Sequence, residues 1–488
     1  MSRIDIAPTR PEDERLPLAT SFGYGIQHIL AMFGGVIAVP LIIGGAAGLS
    51  TTDRVILVSS CLFISGLATL LQTLGVPGFG AQLPLVQGIS FATVATMLAI
   101  IGKGGEHGLR SVYGAIIVAA VIGVLIVPLF AKVIQLFPPV VTGSVITVIG
   151  LSLMPTAAGW ITGQQTITVG AKTVDNPDYL APHNVALAAV TLAAVLILSR
   201  IRRFTRIAIV GGLVIGTVVG ALFGDVSTAS LSGASVFALP HPFAFGAPIF
   251  QIGAIVSMTI AILVIMVETT ADLLAVAEVV GTRIDSKRVS AGLRADMTSS
   301  VVAPVFNSFP ATAFAQNVGL VAITGIKSRF AVAAGGLVLV VLGLSPMASG
   351  VFNLIPSPVL GGAGIVLFGT VAASGVRTLT KVRYSGTNNL IVVATAVGLG
   401  MIPVVTDDFW SRFPSWFQTI FDSGISSTAI AAVLLNLLFN VFGGRAGGST
   451  LAAAPAGGVS TTELRILAEG GAFEAGEAVR VTCPSEAA

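Results

Sequence analysis

An apolar stretch at 307–329, NSFPATAFAQNVGLVAITGIKSR, sets two amides side by side, Gln316 and Asn317. An amide side chain both donates and accepts hydrogen bonds, so the pair could read a ligand edged with donors and acceptors. The stretch is a poor continuous helix. Pro310 has no amide hydrogen to give, and Gly319 and Gly325 loosen the residues after it. Four ionisable groups also stand inside apolar surroundings. Glu268 and Asp272 are four apart in VETTADLLAVAE and share one helix face. Asp296 lies in LRADMTSS, and His28 in GIQHILAMFGG. Each has a structural reading, as a packing amide, a satisfied carboxylate or a hydrogen-bonded imidazole. Ionisable groups at membrane depth are costly, however, and by default mark a functional site. No His, Asp or Glu cluster has metal-ligand spacing, and no phosphate-binding loop is present. An ion gradient is therefore the expected energy source, with no cofactor. No nucleophile–base pair suggests an enzyme.

These groups need a scaffold that holds broken backbone inside a bilayer. The chain has 488 residues, 54% hydrophobic and 10% charged, where a soluble domain carries roughly 25% charged residues. Apolar runs follow at 20–43, 54–75, 81–102, 112–136, 138–158, 183–199, 206–224, 249–281, 290–307, 309–325, 329–352, 356–375, 388–405 and 426–443. Most approach the ~20 residues that cross a bilayer. The expectation is an all-α polytopic membrane protein of fourteen segments, with the lipid bilayer as its surroundings. The run at 249–281 is too long for one straight crossing and suggests a tilt or an interfacial start. The 57 glycines suit close helix packing. A net charge of +3 does not suggest a nucleic-acid partner, and Cys61 and Cys483 cannot build a disulfide framework or metal cluster. Residues 1–17 lack a cleavable signal pattern. Residues 446–488 read as a flexible tail.

Lys and Arg give the orientation. Arg200, Arg202, Arg203, Arg206, Arg283, Lys287, Arg288, Arg294, Lys327, Arg329, Arg377, Lys381 and Arg383 fall on one side of the later spans, against Arg412 on the other. By the positive-inside bias both termini are cytoplasmic. The early half is less regular, since Arg54, Lys103, Arg110 and Lys172 fall outside.

The chain also resembles itself. PVVTGSVITVIG (139–150) lies over PVLGGAGIVLFG (358–369), and LPLVQGIS (83–90) over FPATAFAQ (309–316). The matches fall in the same order, seven spans apart. An odd separation inverts the second copy, as in many secondary transporters. Spans three and ten are the pair interrupted by Pro and Gly, which is where that plan puts the substrate.

At these residues the chain resembles the nucleobase–ascorbate transporter family. The motif QNVGLVAITG fills each fixed position of its signature, with Gln316, Asn317, Gly319, Thr324 and Gly325. QHILAMFGG, QGISFA, the Glu268/Asp272 segment and Asp296 extend the likeness from about 20 to 443. The resemblance implies two inverted seven-segment repeats, with short extended segments in spans three and ten. It implies a core of 18–136 and 248–353, a gate of 137–247 and 354–445, and tails at 1–17 and 446–488. Glu268 and Gln316 would hydrogen-bond a nucleobase, Phe91 and Ala315 would line its pocket, and Ser90 would tune specificity. Asn317, His28, Asp272 and Asp296 would support the site or a proton path. The implied protein is a proton-coupled carrier in the plasma or inner membrane, a homodimer with an elevator motion. Gln316, where uracil-type members have Glu, points to an oxidised purine such as xanthine or urate. A uracil permease and an inorganic-anion transporter of the same fold are the alternatives.

Overall fold

The computed structural model describes residues 10–130, 134–163, 166–169, 172–176, 179–226, 235–385, 387–406 and 408–441, with short segments at 450–452, 458–460, 472–474 and 477–479. The chain is mostly helical. In order it forms α1 (Leu18–Ala46), α2 (Thr51–Leu74), β1 (Gln87–Ile89), α3 (Val94–Gly104), α4 (Gly108–Ile126), α5 (Pro139–Ser152) and α6 (Met154–Thr162). The hairpin β2 (Thr166–Val169) and β3 (Lys172–Asp175) precedes α7 (Pro182–Arg200), α8 (Ala208–Leu222) and α9 (Ile252–Val280). Then come β4 (Ile284–Asp285), α10 (Ser286–Val302), β5 (Ala311–Ala313), α11 (Ala315–Thr324), α12 (Arg329–Gly343), α13 (Pro346–Phe352), α14 (Ser357–Leu379), α15 (Asn389–Val405), α16 (Ser415–Phe421) and α17 (Gly424–Asn436).

Among the described residues, seven helices are long and apolar enough to cross a bilayer, or nine if two bent pairs are each taken as one span. Other expected crossings are shorter than the apolar runs suggested. The third run divides into β1, a 3-10 turn at Phe91–Thr93 and the 11-residue α3. The tenth divides into β5 and the 10-residue α11. The long run near 249–281 is one continuous 29-residue helix, α9, with no separate interfacial segment. At ~1.5 Å per residue it exceeds the ~30 Å hydrocarbon thickness. The run at 329–352 bends by 93° between α12 and α13, where Pro346 starts the second helix.

Packing falls into two groups. In one, α2 and α1 lie against α12, and α4 lies against α9 and α10. In the other, α5, α6 and α7 lie against α14, α7 against α8, and α17 against α5 and α15. The two broken spans meet within the first group, against α1, α2, α9 and α10. β1 and β5 pair antiparallel, with Gln87 opposite Ala313, Gly88 opposite Thr312 and Ile89 opposite Ala311. Ser90 N–H donates to Pro310 O at 2.9 Å, and Phe314 N–H to Val86 O at 3.2 Å. An unmade backbone bond in hydrocarbon costs several kcal/mol. The two breaks satisfy each other, and all six strand residues are buried.

Of the tail at 446–488, the described residues form two short hairpins: 450–452 with 458–460, and 472–474 with 477–479. The second hairpin pairs with Ile284 and Asp285. The remainder of the tail lies outside the described residues, as does most of the N-terminal segment at 1–17.

Candidate functional site

A cavity of about 640 Å³ lies where the paired breaks face the second helix group. Phe91, Glu268, Thr312, Phe314, Ala315, Gln316 and Gly319 line one side, with Ile146, Ile209, Thr370, Ser374 and Arg377 on the other. The volume suits a small molecule, and the lining is mostly apolar with a few convergent polar groups. Among the described residues, Glu268 and Arg377 are the charged members of the lining. Glu268 is half-buried on α9, and Arg377 is exposed near the end of α14.

Several local devices aim these side chains. Ser90 Oγ accepts the Ala92 N–H at 3.1 Å and caps the turn that begins at Phe91. Phe91 then meets Phe368 edge to face, with ring centroids 6.0 Å apart. No side chain caps α11 at Phe314, and its first residues, Ala315 and Gln316, line the cavity. Gly35 in α1 allows the close approach, because a Cβ there would stand 2.7 Å from the Phe314 ring. Gly325 ends α11 in the left-handed region at φ 70°, which glycine adopts without strain. Thr324 Oγ1 donates to Leu320 O at 2.8 Å in the same turn.

Asn317 and Ser90 are buried and do not line the cavity. Asn317 braces it instead. Its Oδ1 accepts the Val86 N–H at 2.6 Å, tying α11 to the chain entering β1. Its Nδ2 therefore faces His28 Nδ1, which leaves the ring proton of a neutral His28 on Nε2. Asp296 is buried behind the strands. Its Oδ2 accepts Thr269 Oγ1–H at 2.5 Å, and Gln72 Nε2 approaches Oδ1 at 3.5 Å. Gln72 Oε1 in turn accepts the Ala81 N–H at 3.1 Å. Thr269 also lies 3.4 Å from Thr312, so this network reaches a residue of the cavity wall. Asp272, one turn beyond Glu268, is buried, and neither carboxylate oxygen has a hydrogen-bond partner among the described residues. Nothing there offsets a charge on it.

The predicted groups thus separate by position. Glu268, Gln316, Ala315, Phe91 and Gly319 share the cavity. Ser90, Asn317, His28 and Asp296 make bonds around it, while Thr324 and Gly325 close its helix. Sequence reading missed Thr312, Thr269, Gln72 and the cavity position of Arg377. Thr312 lies inside the recognised break and could have been found by position. Gln72 is 224 residues from Asp296 and carries no local signal.

The chain has recognisable relatives. Residues 19–409 match a permease family. The uric acid transporter UacT of Escherichia coli (strain K12) is 37% identical over 437 residues, 89% of either chain. The xanthine permease of Bacillus subtilis (strain 168) is 39% identical over 420 residues, covering 86% of this chain and 93% of its own. The transmembrane domain of the cyanobacterial bicarbonate transporter BicA aligns with a TM-score of 0.58 over 86% of this chain and 99% of that one. It is 17% identical, a likeness of fold alone. The chain is a multi-pass membrane protein and a permease rather than an enzyme, and it belongs to the nucleobase–ascorbate transporter family that its signature resembled.

Proposed function

We propose that this protein is a proton-coupled carrier of an oxidised purine, xanthine or urate. The observation that carries the reading is one cavity holding Glu268, Gln316 and Phe91 together. A purine dione is a flat ring edged with N–H donors and C=O acceptors. The Glu268 carboxylate accepts from a ring N–H, the Gln316 amide can donate and accept along another edge, and Phe91 offers a stacking face. Stacking contributes ~1–3 kcal/mol by analogy with nucleic-acid bases. The uncapped start of α11, the positive end of its dipole, suits the electron-rich carbonyls. Relatives named for uric acid and xanthine transport support the purine branch.

Glu268 is the candidate proton carrier, with Asp272 and Asp296 as supporting acids. One charge moved with the substrate across 100 mV contributes ~2.3 kcal/mol, nearly fiftyfold accumulation. Fourteen segments in two inverted repeats agree with the antiparallel pairing of the two breaks. The two packing groups support a division into core and gate, and a cavity between them is what an elevator motion would carry across the membrane. A homodimer with cytoplasmic termini in the cell membrane completes the reading. The anion alternative is less favoured, because the carboxylate of Glu268 stands beside the start of α11, where an anion carrier would hold a cation.

Competition between labelled xanthine and unlabelled bases tests the substrate. Xanthine and urate should compete and uracil should not, and Gln316→Glu should move the preference toward uracil. Uracil competing as well as xanthine in the unaltered protein would reject the purine assignment.

A further inference from the structure

A second cavity, about 790 Å³, opens between the loop at 78–82 and the start of α10, away from the first. Among the described residues, its lining holds Arg10, Arg283, Lys287, Arg288 and Arg294 against one carboxylate, Asp285. Not all of these cations are free. Arg288 is spent on structure: it pairs with Glu12 at 2.5 Å and donates to Ala81 O at 2.6 Å and Gln82 O at 2.9 Å. Asp285 caps α10, its Oδ1 accepting the Arg288 backbone N–H at 2.8 Å. Arg294 gives one N–H to Gly78 O at 3.0 Å and keeps the others. The Arg283 and Lys287 side chains are exposed, with no hydrogen bond or ion pair among the described residues. Ser286 and Ser290 line the same wall.

We infer that this cleft binds a phosphate-bearing anion. A concave surface where cations outnumber the carboxylate concentrates negative charge. Guanidinium forks match phosphate oxygens two at a time, and the lysine serves as a point charge beside them. The volume exceeds what a single small anion fills, so a diphosphate group or a lipid headgroup fits better than a halide. Arg288 also holds the backbone of Ala81 and Gln82, just ahead of β1, so an anion here would bear on the loop that leads to the first cavity. Binding in this cleft does not depend on which substrate the first cavity transports.

Two arms separate the sources. The full chain in nanodiscs of phosphatidylcholine alone is titrated with inorganic pyrophosphate by calorimetry. In parallel, detergent-purified protein is offered equal parts of phosphatidylcholine and phosphatidylglycerol, and the retained lipid is quantified. The comparison variant is Arg283→Gln with Lys287→Gln, both exposed and free of contacts that fold the chain. Arg202→Gln with Arg203→Gln removes the same charge elsewhere. Saturable pyrophosphate binding, weakened about tenfold by the cleft variant and unchanged by the control, assigns a soluble phosphate ligand. Phosphatidylglycerol enrichment lost only in the cleft variant assigns a lipid headgroup. No binding in either arm, or binding equally weakened by both variants, overturns the proposal.

Discussion

Replacing Asn317 by Ala should damage the proposed substrate site without touching the cavity wall. Asn317 is 1% exposed and joins three elements through two bonds. Truncation leaves the buried Val86 N–H without its acceptor and His28 without its partner. His28 Nε2 already lacks a partner among the described residues, so the ring would lose its remaining anchor. A buried group left unpaired costs ~1–3 kcal/mol. Interhelical side-chain bonds measured in membranes average ~0.6 kcal/mol. The larger range should govern here, because Val86 enters a strand whose backbone cannot relax into water. If that cost falls on the ordered, substrate-ready site, KM should rise ~5-fold to ~150-fold. The assay is initial-rate uptake over a range of xanthine concentrations, paired with thermal unfolding of the purified protein. Asn317→Asp keeps the acceptor for Val86 and allows a protonated His28 Nδ1 to donate back, so it should recover part of the loss. An alanine variant with unchanged KM and melting temperature would refute the bracing role.

Two other consequences come from the same geometry. Glu268→Gln keeps the shape of the site but removes the titrating group, so it should abolish uphill accumulation while base exchange across the membrane persists; accumulation ratios and counterflow measure this. Phe91→Ala removes the stacking face and should raise KM by ~5-fold or more from a loss of ~1–3 kcal/mol, read from the same uptake curves.

The site was partly legible because its awkward residues are local. Pro310 and the adjacent amides in an apolar run mark a break whatever surrounds them. Glu268 and Asp272 can be put on one helix face by spacing alone, yet spacing could not show that Glu268 opens on a cavity while Asp272 is sealed behind it. That difference depends on which elements pack against each side of α9. The role of Asn317 was hidden for the same reason. Its partners are Val86 and His28, 231 and 289 residues away, so a residue that reads as ligand-facing in sequence turns inward in the fold. Helix lengths were overestimated in spans three and ten, because apolar composition does not distinguish a buried strand from a buried helix. The two strands exist only because each finds the other, 224 residues apart at Gly88 and Thr312.

Uptake of radiolabelled xanthine into cells lacking their own base carriers, with and without a protonophore, tests the account most directly. It predicts saturable uptake that collapses when the proton gradient is dissipated. Saturable uptake untouched by the protonophore would contradict proton coupling, and no xanthine uptake by correctly inserted protein would contradict the purine site itself.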